Sequence, residues 1–392
     1  MAVLALVAGL PHAAWAQGVT LADAVQSAWL RTAQSVQAAG LTRKAQAERA
    51  AADALWAGSP ALELGVLRNR QPAMAATRET EVGVAVPMWL PGQRAARQGE
   101  VAAGMAAAAA HEAAAKLQVA GLVREAVSDI AVQRAELAAA EAASQEMEAL
   151  ARDVERRVAA GDLARADALA AHAERLAATA AAAQARQALQ SAQRRWQALT
   201  GLSAVPAPDA DVASAPAGEH PALQAAALDV LHARQRLDVT RASRRDAPEL
   251  LVKVRQEVTA GAPTVNGVGV ALRLPFGSAG RNEPLMTAAL NDVDVAEAVQ
   301  RELAQQLEAD LATARSAQSA ARQQADHQAA RAALLRERAV LIEKSFKAGE
   351  TPLPEMLRAV TAATQAEASV ALARAALDQA NARLLQAQGV MP

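Results

Sequence analysis

The chain has 392 residues, with 40 basic and 41 acidic side chains, no Cys, no Tyr, two Phe and five Trp. Its 52% apolar content is carried by Ala, Leu and Val, so thick cores built on aromatic area are excluded and long, closely packed helices are favoured. A net charge of −1 removes the basic footprint of a nucleic-acid binder, and the missing cysteines exclude disulfides, thiol chemistry, Cys-ligated metals and a lipidated cysteine anchor.

The N-terminus opens with an apolar run, Ala2 to Leu10, a break at Pro11 and the small-x-small tripeptide Ala14-Trp15-Ala16. This pattern predicts a secretory signal over 1–16 cleaved after Ala16, although without a basic n-region. Nothing downstream reaches the ~18 uninterrupted apolar residues of a membrane-spanning helix.

Glycine and proline reveal a duplication. At an offset of 188, Pro60/Pro248, Pro87/Pro275, Gly92/Gly280, Gly161/Gly349 and Gly201/Gly389 coincide in a chain with only 20 Gly and 16 Pro. Two tandem repeats follow, 17–202 and 220–392, joined by a Pro/Ala/Asp-rich linker at 203–219. In chain order each repeat predicts a helix (Leu21 to Trp56; Pro221 to Ser243), a β-hairpin, a long helix and a return helix. The hairpins, 60–90 and 248–276, alternate with period two through Leu62-Glu63-Leu64-Gly65-Val66, Val82-Gly83-Val84-Ala85-Val86, Val252-Lys253-Val254-Arg255 and Val268 to Leu274. After a Pro/Gly corner the long helices run 93–160 and 281–348, free of further proline; 68 residues would extend about 100 Å. Apolar residues at helical spacing, Met147, Leu150, Val154 and Val158 or Val295, Val299, Leu303, Leu307 and Leu311, predict buried stripes. Each long helix ends at Ala-Gly-acid (Ala160-Gly161-Asp162; Ala348-Gly349-Glu350), where glycine can take the left-handed cap conformation. Return helices follow at 162–199 and 352–388.

Strands of about ten residues match a tilted bilayer crossing. Val84, Val254, Val270 and Leu272 fall on the apolar face and are predicted to meet lipid. Four strands cannot close a spanning sheet without leaving edges. Three copies supply twelve, so a homotrimeric barrel is expected. The fold class is therefore mostly α with a membrane β-barrel portion: two tandem repeats, a long α-helical barrel and four strands per protomer.

The duplication, the element order and the paired segments Val158 to Asp167 and Phe346 to Glu355 resemble the TolC-like outer-membrane efflux proteins over nearly the whole mature chain. The resemblance implies an outer-membrane exit duct of a tripartite system. Its partners would be a periplasmic adaptor, an inner-membrane transporter of the RND type and outer-membrane lipid, without nucleic acid or cofactor. The compact length is similar to the heavy-metal-efflux branch. The resemblance also makes Gly161, Asp162, Leu163, Gly349, Glu350 and Thr351 the tips that dock the adaptor. It places Glu355, six residues after the tip glycine and followed by Arg358, at the periplasmic aperture, with Asp167 its structural counterpart. Two departures stand out: Trp89 and Phe276 are the only strand-end aromatics, and Phe346 stands where many relatives carry Tyr.

Catalysis finds no foothold. The six His show no ligand spacing and read as solvated helix residues, no Gly-rich loop follows a strand, and the acids sit beside Arg and Lys on helix faces. Two alternatives belong to other classes: a periplasmic adaptor, which would carry one helical hairpin without the duplication, and a coiled-coil stalk, which would not carry four bilayer-length strands.

Overall fold

The computed structural model describes residues 19–69, 75–207, 219–276 and 279–392. The signal at 1–16 and most of the linker lie outside the described residues. The first elements are α1 (Leu21–Leu30), α2 (Ala33–Ala52), β1 (Ala61–Asn69), β2 (Thr77–Pro87), α3 (Gln93–Ala160) and α4 (Arg165–Thr200). Then come α5 (Pro221–Ala242), β3 (Glu249–Thr259), β4 (Val265–Arg273), α6 (Ala279–Lys347) and α7 (Leu353–Ala387).

The first predicted helix is two helices. α1 starts with a reciprocal capping box: the Thr20 hydroxyl accepts from the Asp23 N–H while the Asp23 carboxylate accepts from the Thr20 N–H, at 3.1 Å each. The hydrogen bonds from Thr20 hold the Asp23 carboxyl below its ordinary value. α1 stops because the Arg31 N–H turns back to the Ala28 carbonyl and the Thr32 hydroxyl donates to the Trp29 carbonyl at 2.8 Å. A side chain that satisfies a last-turn carbonyl removes the reason to propagate the helix. α5 opens with Pro221 at its first turn and His220 as N-cap, whose ring nitrogen accepts from the Ala222 N–H at 3.2 Å.

α6 also departs from expectation. It starts at Ala279, takes in Gly280 and contains Pro284, whereas the sequence predicted a proline-free helix from 281. Pro284 lies only five residues into the helix, where it forfeits a single backbone bond. Gly92, the repeat-one counterpart of Gly280, precedes α3 with φ +79°, whereas Gly280 lies inside α6.

The described chain forms two compact units, and neither coincides with a repeat. One holds the residues through Thr32, those from Lys116 to the linker, and those from Leu311 onward; the other holds Ala33–Ala115 and the described residues up to Asp310. Each unit therefore draws on both halves of the sequence.

In the second unit the strands form one antiparallel sheet in the order β1-β2-β3-β4. β2 and β3 join the two repeats at the centre. Met88 N–H donates to the Pro248 carbonyl at 2.7 Å at one end of this seam, and Ala260 N–H to the Ala76 carbonyl at 3.1 Å at the other. The helical part of this unit packs Ala233 and Leu237 of α5 on Ala289 and Val293 of α6. Val295 and Val299, expected to be buried, are each 52% exposed; the row that faces α5 is offset from them.

In the first unit a core of Met147, Leu150, Ala151 and Val154 from α3 meets Ala171 of α4, Phe346 of α6, and Leu353, Met356 and Val360 of α7. The stripe read from the spacing of Met147, Leu150 and Val154 is thus buried. At the other end of α4, Trp196 is 1% exposed and donates its indole N–H to the Ala204 carbonyl at 3.2 Å.

Candidate functional site

The strand register fixes two chemically opposite sheet faces. Leu62, Val84, Val252 and Val270 form one cross-strand row, and Leu64, Val82, Val254 and Val268 the next. Val86, Leu250 and Leu272 extend the same face. Val84, Val254, Val270 and Leu272 therefore share a face, at 44%, 54%, 70% and 54% exposure. Contiguous Val and Leu left open at this level mark a surface meant for an apolar environment.

The opposite face carries Glu63, Glu79, Glu81, Glu249, Glu257, Lys253, Arg255 and Arg273. Its cations are paired: Lys253 with Glu81 at 3.0 Å, Arg273 with Glu249 at 2.8 Å, and Arg255 with both Glu79 and Glu257. Lys253 can lie flat because its neighbours are glycines. A Cβ on Gly83 would stand 3.0 Å from the Lys253 Cβ, and one on Gly269 3.4 Å from its Cγ. The outer sides of β1 and β4 pair with nothing among the described residues, leaving open ladders that a spanning sheet must complete.

Where the strands meet the helices, Trp89 donates its indole N–H to the Ala54 carbonyl at 3.1 Å, Trp56 is 41% exposed and Phe276 is 98% exposed. Trp56 belongs with the other two although it precedes β1. The period-two pattern could not reveal it; the Ala57 N–H bond to the Pro87 carbonyl brings it there.

The helical tips are built on glycine. Gly161 and Gly349 have φ of +88° and +81°. At the first, Gly161 N–H donates to the Val158 carbonyl and Asp162 N–H to the Arg157 carbonyl, at 3.1 and 2.8 Å. At the second, Gly349 N–H donates to Phe346 and Glu350 N–H to Ser345, at 3.0 and 3.1 Å. These are paired Schellman bonds that only a left-handed residue permits without strain. Asp162 and Glu350 are exposed, whereas Leu163 leans on the buried core and the Thr351 hydroxyl bonds the Ser345 hydroxyl at 2.6 Å. Beneath the tips, Arg157 sits over the Phe346 ring at 4.7 Å and pairs with Asp153. Asp153 is held below its ordinary pKa, chiefly by its hydrogen bond from Arg156.

Past each tip the repeats diverge at one atom. Asp167, the third residue of α4, accepts from the Ala164 N–H at 3.2 Å. Glu355 holds the equivalent place in α7, but its N-cap is Pro352, which has no N–H to offer. Its carboxylate is left uncommitted, and among the described residues no ion pair joins it to the exposed Arg358.

The helix surfaces hold little else. His111 pairs with Asp229 at 2.8 Å and His172 with Glu155 at 2.7 Å, so these two histidines tie helices together rather than standing alone in solvent. A cleft lined by Lys44, Glu48, Arg97, Glu100, His232 and Arg236 holds ion pairs of its own, Arg97 to Glu100 at 2.6 Å and Lys44 to Glu48 at 3.8 Å along single helices and Arg236 to Glu100 at 4.0 Å between two. No group of three or more metal-ligating side chains occurs, and no helix is long and apolar enough to cross a membrane, among the described residues.

Residues 214–390 match the family described as outer membrane efflux protein. No curated protein matches the chain by sequence. Among solved structures, the fold is similar to that of a membrane protein from Pseudomonas aeruginosa, with 18% identity and a TM-score of 0.76 over 95% of this chain and 91% of that one. The outer membrane protein VceC of Vibrio cholerae is 16% identical, with a TM-score of 0.74 over 94% and 96%. The open state of the Neisseria gonorrhoeae MtrE outer membrane channel is 17% identical, with a TM-score of 0.74 over 94% and 89%. The family match thus spans most of the second repeat, and over nearly its whole length the chain has the fold of these outer-membrane proteins.

Proposed function

We propose that three copies of the chain form the passive exit duct of a tripartite efflux or secretion system, fed by a periplasmic adaptor and an inner-membrane transporter of the RND type. The observation that carries this reading is the sheet: four strands with two open edges, an exposed Val/Leu face and an ion-paired face behind it. A closed ring of such sheets puts the apolar face in lipid and the charged face around water. The work of the chain is conduction rather than catalysis. Membrane fractionation followed by sizing in detergent tests it: a trimer in the outer membrane is expected, and a soluble monomer overturns the duct.

The tips are the proposed adaptor seats. Leu163 and Thr351 are bound into the protein, so Asp162 and Glu350 are the cleaner probes. Replacing both by Arg is expected to lower export about tenfold at unchanged trimer abundance. Export that falls only in step with trimer abundance would make the tips caps and nothing more.

Glu355 is the proposed aperture acid. Threefold symmetry would gather three uncommitted carboxylates, which repel unless a cation joins them. Glu355→Gln is expected to reduce cation selectivity and divalent block in planar-bilayer recordings, while Asp167→Asn leaves the currents unchanged and weakens only the start of α4. Identical currents from Glu355→Gln would reject the ring.

A further inference from the structure

Five described strand residues are basic, and the register divides them. Lys253, Arg255 and Arg273 lie on the polar face, each with a carboxylate partner. Arg68 and Arg78 do not. They are direct cross-strand partners, and alternation puts them on the face of Leu62, Leu64, Val82 and Val84. Both are exposed, and no acid pairs with either among the described residues. Like charges held directly opposite, with α-carbons about 5 Å apart, destabilise a ladder unless something anionic lies between them.

Their height on the sheet identifies the anion. One row below, the apolar face turns mixed, with Val66 beside Thr80, Gln256 and Asn266 and Gln256 hydrogen-bonded to Asn266 at 3.2 Å; the arginine row itself continues into Val258. From Pro87, beside the Trp89 belt, nine residues of β2 at about 3.3 Å each and a tilt of about 40° rise about 23 Å to Arg78. Outer-membrane barrels carry an apolar band about 25 Å tall. Arg68 and Arg78 thus stand where hydrocarbon gives way to headgroups, at the sheet end remote from the helices.

We propose that Arg68 and Arg78 together bind the phosphate of a lipid headgroup in the outer leaflet. Two guanidinium groups suit a phosphate, since each can donate two parallel N–H bonds to its oxygens. The exposed hydrocarbon-level rows of Leu64, Val82 and Val84 beneath them would take the acyl chains of the same molecule. This inference rests on the duct reading, which sends the apolar face to lipid.

The test is native mass spectrometry of the detergent-solubilised full chain titrated with phosphatidic acid or with phosphatidylcholine. Wild type is expected to retain phosphatidic acid preferentially. Arg68→Gln with Arg78→Gln should weaken that retention about tenfold, the two Lys replacements should restore part of it, and Arg301→Gln with Arg315→Gln on α6 should leave it unchanged. Equal retention by the double Gln variant, or no preference for phosphatidic acid, overturns the proposal. Displacement of the lipid by excess inorganic phosphate would overturn a lipid site in favour of a free-anion site. The two readings fail separately. A trimer without lipid preference keeps the duct and removes the arginine site. A soluble monomer that still binds phosphatidic acid through these arginines removes the duct.

Discussion

Val270→Arg is expected to cost about 2–4 kcal/mol per copy at mid-bilayer depth in the proposed barrel, and the proposed trimer would carry the charge three times over. Val270 sits in the row of Leu62, Val84 and Val252 and is 70% exposed, so the guanidinium would enter hydrocarbon with no carboxylate on its own face. The neighbouring Ala271 lies on the ion-paired face and is expected to accept Arg with trimer abundance close to wild type. The readout is the fraction of heat-resistant trimer extracted from outer membranes. Survival of Val270→Arg together with loss of Ala271→Arg would reverse the faces, because a register slip of one residue exchanges every side chain between them. In the proposed barrel depth matters as much as face: Arg68 and Arg78 would stand at the rim of the apolar band, where the penalty falls to ~0–1 kcal/mol.

Trp196→Ala should destabilise the helical part by about 3–5 kcal/mol. The indole is 1% exposed and its N–H is bonded to the Ala204 carbonyl, so truncation opens a cavity and strips a carbonyl of its donor at once. It also loosens the exit from α4, where the Thr200 hydroxyl donates to the Trp196 carbonyl and accepts from the Leu202 N–H. The equivalent position in the second repeat is Leu384, 6% exposed. Leu384→Ala removes volume but no hydrogen bond and is expected to cost less, about 2–4 kcal/mol. Thermal unfolding followed by circular dichroism at 222 nm compares them. An equal cost at the two positions would show that the indole bond contributes nothing.

What the sequence made legible was whatever a fixed period or a single backbone requirement dictates. Period two marked one apolar side on each strand, and the cross-strand register brings Val84, Val254, Val270 and Leu272 onto a common face. Gly161 and Gly349 were readable because an Ala-Gly-acid end to a long helix asks for a left-handed residue. What escaped depended on competition between local groups. The break after Leu30 comes from Thr32 satisfying the Trp29 carbonyl, and threonine occurs inside helices too often to announce this. Val295 and Val299 open a stripe with correct spacing yet stay exposed, while Leu303, Leu307 and Leu311 further along it are half-buried, because spacing shows that a face exists without showing which neighbour covers each part of it. Pro284 was in plain view and is tolerated for being so near the start of α6. The unequal fates of Asp167 and Glu355 were readable too, had Pro352 been counted as a cap without a donor.

The central seam of the sheet bears on the order in which the chain can assemble. Hairpins β1–β2 and β3–β4 close over short loops, but β2 meets β3 between residues such as Thr77 and Thr259, 182 positions apart. Loop-closure entropy grows slowly with length, yet it must be spent before any rung of the seam returns it. The hairpins are therefore early products and the seam a late one, because α3, α4 and α5 all lie between β2 and β3 in the chain. Until then each hairpin presents two bare edges and a row of valines to its surroundings. The vulnerable interval is the time between synthesis of the first hairpin and arrival of the second, a wait of nearly two hundred residues during which a periplasmic holding factor would have the most to protect.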